Sequence, residues 1–154
     1  MIVVSDTSPI SNLISIGLLE LLRDMYEEVV IPPAVREELE RCHTSLPPFI
    51  ETSEVVNSAL ADRIAAELDR GEAEAIVLAK ELGADFLLID ETLGRARARS
   101  EGVRVIGLLG VLIIAKRKTL ISSVKEIVHR LDQEAGFYVS HDLREEVLRA
   151  AGEI

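Results

Sequence analysis

Ile2-Val3-Val4-Ser5-Asp6-Thr7-Ser8-Pro9 is the stretch on which the reading of this chain turns. Ile, Val and Val favour a strand. Pro9, preceded by Thr and Ser, marks a helix start, because a first turn has no use for the missing N–H. Asp6 falls between the two, at the carboxyl end of a buried strand, where open α/β sheets place their ligands. Phe86-Leu87-Leu88-Ile89 repeats the pattern by running apolar into Asp90, and a polar helical segment follows. Two carboxylates on the ends of parallel strands are the beginning of a metal site.

Working outward, strands alternate with helices. The pattern predicts strands at 2–6, 28–31, 85–90 and 103–106, with a short irregular strand within 49–56. Helices are expected over 9–15, 17–24, 33–42, 58–69, 72–82, 91–101, 107–117 and 121–135, with a last one running from the Ser140 cap to about 150. Gly71 and Gly136 serve as breaks. Such alternation indicates an α/β sandwich around a parallel sheet of four to five strands. At 154 residues the chain suits one domain over 1–154, with 120–154 as a C-terminal helical extension.

Composition narrows the function. Aromatic residues are only 3% of the chain, so Leu, Ile, Val and Ala must build the core. A net charge of -10 excludes a protein that coats nucleic acid through its whole surface, though not one with a local basic groove. One cysteine, Cys42, excludes an internal disulfide and a cysteine-rich zinc site. No leader-like pattern opens the sequence, and the longest apolar stretch, Val103–Ala115, is interrupted by Arg104 and small residues. The expected location is the cytoplasm.

Helical phase sorts the remaining acids. In helix 33–42, Val35, Leu39 and Cys42 share a face, with Glu38 at its edge and Glu37 pointing away. In helix 72–82, Ala75, Ile76, Ala79 and Leu82 form the inward stripe. Glu72 falls on that stripe and Glu74 is expected to face outward. An ionised carboxylate turned toward a core is costly unless it is paired, hydrogen-bonded or bound to metal. Asp6, Glu38, Glu72 and Asp90 are therefore the candidate site. A cluster of oxygen donors without histidine suits Mg²⁺ or Mn²⁺. His43, His129 and His141 share no ligand spacing and read as surface or packing residues.

Each acid also has a structural reading. Asp6 and Asp90 precede helices, where Asp is a favoured N-cap. Glu72 lies in a first turn, where the helix dipole welcomes negative charge. Glu38 would pair with an arginine.

Together, Val4-Ser5-Asp6-Thr7-Ser8-Pro9-Ile10, Ile31-Pro32-Pro33-Ala34-Val35-Arg36-Glu37-Glu38-Leu39 and Leu87-Leu88-Ile89-Asp90 resemble the motifs of PIN-domain nucleases. Gly71-Glu72-Ala73-Glu74-Ala75-Ile76-Val77-Leu78-Ala79 and Gly107-Leu108-Leu109-Gly110-Val111-Leu112 are similar to a largely uncharacterised prokaryotic branch related to VapC-type toxins. Ala135-Gly136-Phe137-Tyr138-Val139 and Leu148-Arg149-Ala150-Ala151-Gly152-Glu153 fit its C-terminal pattern, so the resemblance spans nearly the whole chain.

The resemblance implies a three-layer α/β/α fold and a Mg²⁺- or Mn²⁺-dependent endoribonuclease. Asp6, Glu38, Glu72 and Asp90 would be its catalytic and metal-holding acids, and Thr7 and Ser8 the polar pair supporting the first of them. It also implies a homodimer, and the toxin role would bring an antitoxin partner. Glu72 departs from the aspartate common at its place, which leaves the number of metal ions open. Arg95 and Lys116 are the candidate RNA contacts, since phosphates supply most non-specific affinity. Arg97 and Arg99 read as a solvated face, and no stacking platform for bases is visible. The apolar surplus of Val103–Ala115 and Leu120–Leu131 points to a partner surface. Two other readings stand beside the ribonuclease. One is an inactive PIN-like scaffold or RNA-binding module. The other is a different Mg²⁺ enzyme, such as a phosphatase or receiver domain, which would need a lysine after a later strand where Val103–Ile106 ends in Gly107.

Overall fold

The computed structural model describes residues 1–43 and 45–154. The order is β1 (Val3–Ser5), α1 (Thr7–Ser15), α2 (Glu20–Tyr26), β2 (Val29–Ile31), α3 (Pro33–Cys42), β3 (Ile50–Thr52), α4 (Ser58–Ala65) and α5 (Arg70–Leu82). Then come β4 (Phe86–Leu88), α6 (Thr92–Ser100), β5 (Val105–Ile106), α7 (Leu108–Arg117), α8 (Val124–Ala135) and α9 (His141–Ala150). The five strands form one parallel sheet in the order β3-β2-β1-β4-β5, inside a three-layer α/β/α arrangement. The segment 49–56 supplies the fifth strand, on the sheet edge beyond β2.

β1 is central and wholly buried, with Val4 level with Val30 on one side and Leu87 on the other. From β1 the chain steps outward to β2 and β3, then crosses back through α4 and α5 to β4. The strand order thus reverses between β1 and β4, and such a reversal opens a crevice at the carboxyl ends of the strands. The amide of Asp6 donates to the carbonyl of Leu88 at 2.9 Å, carrying the β1–β4 ladder one step past the strand. Asp6 and Asp90 therefore emerge side by side at the reversal.

Much of the apolar surplus is taken up inside the molecule, while Leu120 stays exposed and Leu109, Ile113, Ile114 and Ile121 are half-buried. Leu108, Val111, Leu112 and Ala115 of α7, and Val124, Ile127, Val128 and Leu131 of α8, all enter the same core as the sheet. Residues 120–154 are held on it by polar links as well. Arg130 donates to the carbonyl of Ile16 at 2.6 Å. Glu153 accepts from the amides of Val124 and Lys125 at the start of α8. No helix among the described residues is long and apolar enough to cross a membrane.

Candidate active site

Asp6 occupies the N-cap position of α1, yet its side chain makes no capping bond there. The ordinary helix-cap explanation does not account for it. It is 5% exposed. Burial raises its pKa from 3.8 to about 7; the Thr7 amide opposes the rise, while the charges of Asp69, Glu38 and Asp90 add to it.

Asp90 is not the cap of the helix that follows it, because Glu91 takes that position. Its Oδ1 instead accepts from the amide of Leu108 at 2.8 Å, at the first turn of α7. Its Oδ2 is buried without a partner in the protein. Burial pushes the carboxyl up, while the Leu108 amide and the Arg95 guanidinium pull it down. Arg95 is itself held by donating to the carbonyl of Ile89 at 3.0 Å.

Glu72 is 6% exposed, and its Oε2 also lacks a partner. Asp69 caps α5 by accepting from the Glu72 amide at 2.8 Å, and the two side-chain carboxyls meet as well. A carboxyl so close to Glu72 favours its neutral form. Burial, the adjacent Asp69 carboxyl and the charges of Asp6 and Glu91 raise Glu72 from 4.5 to about 8. Asp69 is thus a fifth acid of the site, absent from the sequence-based set. Asp69-Arg70-Gly71-Glu72 has the spacing of a capping box, which was the available signal.

Glu38 reaches the cluster from α3 and accepts from the Thr7 hydroxyl at 2.7 Å. The polar pair expected to support Asp6 is thereby redistributed. Thr7 turns its amide dipole toward Asp6 and donates its hydroxyl to Glu38, and among the described residues Ser8 makes no side-chain hydrogen bond. The acid is buttressed from the other side, where Ser5 donates to the Asp6 carbonyl at 2.9 Å.

Three glycines make room for the carboxylates. A Cβ on Gly71 would stand 2.6 Å from Glu38 Oε1, and one on Gly94 2.6 Å from Glu72 Oε2. One on Gly107 would stand 2.9 Å from both Asp90 Oδ1 and Arg95 Nη1. The atoms struck are mainly the ends of flexible side chains, so an added methyl displaces the carboxylate rather than the backbone. At Gly94 the added methyl would also stand 2.7 Å from Cδ1 of the buried Ile89, so Gly94→Ala is expected to cost about 1–3 kcal/mol in denaturant unfolding while weakening Mn²⁺ binding by calorimetry about tenfold or more.

Two expectations are corrected by packing. Glu74 does not face solvent: its Oε1 accepts from the amide of Ala34 at 3.0 Å and its Oε2 pairs with Arg70 at 3.0 Å. Pro32 offers α3 no side-chain cap, and Pro33 has no N–H, so the Ala34 amide needs an acceptor from elsewhere. Glu74→Ala should therefore cost about 1–2 kcal/mol in denaturant unfolding, whereas Glu74→Gln, which keeps an acceptor, should cost far less. Lys116 is also committed, to Glu153 at 2.9 Å, and is not a free phosphate contact. Arg97 does form the expected solvated face, pairing with Glu67 at 3.0 Å and Glu101 at 3.7 Å. His43 packs against Ser11 at 3.0 Å, and His129 and His141 are exposed.

The structure thus brings together Asp6, Glu38, Glu72 and Asp90, adds Asp69, and leaves Arg95 as the cation beside them. Among the described residues no three acid, histidine or cysteine side chains are drawn into a ready-made metal cage. The donor set nonetheless fits a hard divalent cation. It is all oxygen, it crowds negative charge, and two buried oxygens, Glu72 Oε2 and Asp90 Oδ2, have no protein partner. A buried polar atom left so is expensive unless something binds it.

A family model described as a PIN domain matches residues 2–153. No curated protein and no solved structure matches the chain.

Proposed function

This chain belongs to the PIN-domain family, whose members are generally nucleases, and we propose that it is a metal-dependent endoribonuclease hydrolysing RNA phosphodiester bonds. The observation that carries the reading is the partnerless buried oxygens of Glu72 and Asp90 at the strand reversal, beside an Asp6 whose burial no helix cap explains. Asp6, Glu38, Glu72 and Asp90 would hold Mg²⁺ or Mn²⁺, with Asp69 beside them. When bound, such an ion supplies Lewis acidity toward a phosphoryl oxygen and acidifies water near neutrality.

The chain's own residues divide the remaining work. Thr7 orients Glu38 through its hydroxyl. The Leu108 amide holds one oxygen of Asp90 and leaves the other free. Arg95, fixed by the Ile89 carbonyl, is the cation placed to meet a phosphate entering over Asp90.

The proposal extends to a toxin role with an antitoxin protein as partner, and to a homodimer. Gene context bears on the former and light scattering at micromolar concentration on the latter. The test of the activity is cleavage of single-stranded RNA by purified protein with Mn²⁺, its arrest by EDTA, and its loss in Asp6→Asn. RNA that binds but is never cut, across metals and substrates, would favour the inactive RNA-binding module instead.

A further inference from the structure

A groove of about 620 Å³ runs from Asp90, Glu91 and Arg95 over the start of α7 to Phe137, Tyr138 and the α9 side chain Leu143. One end is charged and belongs to the acid site. The other is aromatic and aliphatic. Tyr138 stands on the non-helical link between α8 and α9 and is 79% exposed. Only five aromatic side chains occur in the chain, and of the other four, Tyr26 is buried while Phe49, Phe86 and Phe137 are half-buried. Tyr138 is the one spent on the surface, and it is spent at the far end of the groove that starts at Asp90. On its other side lies a smaller cleft of about 240 Å³ lined by Asp132, His141 and Arg144.

An unpaired nucleotide has this polarity: a phosphate at one end, a flat apolar base at the other. Single-stranded nucleic acids are bound by pairing cations with phosphates and aromatic faces with bases. We propose that this groove is a nucleotide subsite for single-stranded RNA, with the base flanking the scissile phosphate stacked on Tyr138 and that phosphate held at Arg95. Stacking is indifferent to base identity, so the subsite selects unpaired over paired RNA rather than one sequence. The inference rests on the ribonuclease reading and adds to it the residue that would seat the base.

The test uses the Asp6→Asn protein with Mg²⁺, so that RNA binds without being cut, and a short fluorescent single-stranded oligoribonucleotide. Tyr138→Ala should weaken binding roughly ten- to a hundred-fold, the loss of one stacked base. Tyr138→Phe should restore it, because the ring and not the hydroxyl does the stacking. Removing one base from the oligonucleotide should weaken binding to the Tyr138 protein and have little effect on the Tyr138→Ala protein. Because Tyr138 is so exposed, the alanine variant should melt at the same temperature.

Equal affinity of the Tyr138 and Tyr138→Ala proteins would overturn the subsite and leave the ribonuclease reading standing. Failure of every variant, including Asp6 protein, to bind RNA would overturn both. A change from dimer to monomer on Tyr138→Ala, with RNA affinity unchanged, would assign the groove to a second copy of this chain and overturn the subsite.

Discussion

Asp6→Asn is expected to lower Mn²⁺-dependent cleavage of single-stranded RNA by about a thousand-fold or more, while the folded state survives. Lewis-acid stabilisation of a phosphoryl transition state is worth several kcal/mol, and ~4 kcal/mol corresponds to ~10³ in rate. The substitution keeps shape and one acceptor oxygen but removes the charge that would hold the cation. Asp6 makes no capping bond to α1, so no helix end loses its partner. Cleavage that persists in Asp6→Asn, in a preparation free of contaminating nuclease, would place the chemistry elsewhere. A protein that unfolds on this substitution would instead make Asp6 structural, and circular dichroism separates the two cases.

The second large effect is on stability against pH. The metal-free protein should lose stability as pH rises from about 4 to about 8, by ~2–4 kcal/mol in all. Asp6 and Glu72 have folded-state pKa values of about 7 and about 8, above their unfolded values of 3.8 and 4.5. Between those limits the folded state holds protons that the unfolded state has given up, so stability falls with pH. The contribution is intact below the unfolded values and gone above the folded ones. Glu72 is raised partly by the charge of Asp6, so the two shifts do not simply add.

Mn²⁺ at alkaline pH should reverse the loss, because a ligand that binds only the folded state stabilises by mass action: ~2.7 kcal/mol at a hundred times its Kd. Asp6→Asn should flatten the pH profile and blunt the response to Mn²⁺. Denaturant midpoints across this range read both. A flat or rising profile in the metal-free protein would mean that these carboxyls are not held as close and as dry as described.

Local patterns in the chain carry the backbone and the identity of the main acids. Alternation of apolar strands with helical periods yields the parallel sheet, and Pro33 and Ser140 start helices where expected. Gly136 ends α8 at a φ of +67°, a conformation glycine adopts without penalty. A residue's own φ/ψ preference and its place on a helix face depend on neighbours within a few positions. For that reason Asp6, Asp90, Glu38 and Glu72 could be picked out as pointing inward before any fold was known. Asp69 carried only its capping-box spacing to Glu72, which marks a helix start and says nothing of the acids that the start will face.

What each side chain touches was decided only when distant segments met. Glu74 caps a helix 40 residues earlier in the chain, and Lys116 pairs with an acid 37 residues later. Neither partner leaves a trace in helical phase. The apolar residues of α7 and α8 looked surplus because their destination, the core they share with the sheet, depends on where those helices dock. Gly71 read only as a helix break and Gly107 as a strand end, and with Gly94 they became spaces for carboxylates once separate elements converged. The groove between Asp90 and Tyr138 likewise exists only after the α8–α9 link has folded back toward the carboxyl end of β4. Spacing along the chain encodes direction. Contact requires closure of the chain, and closure places the groups by a packing optimum that no local window contains.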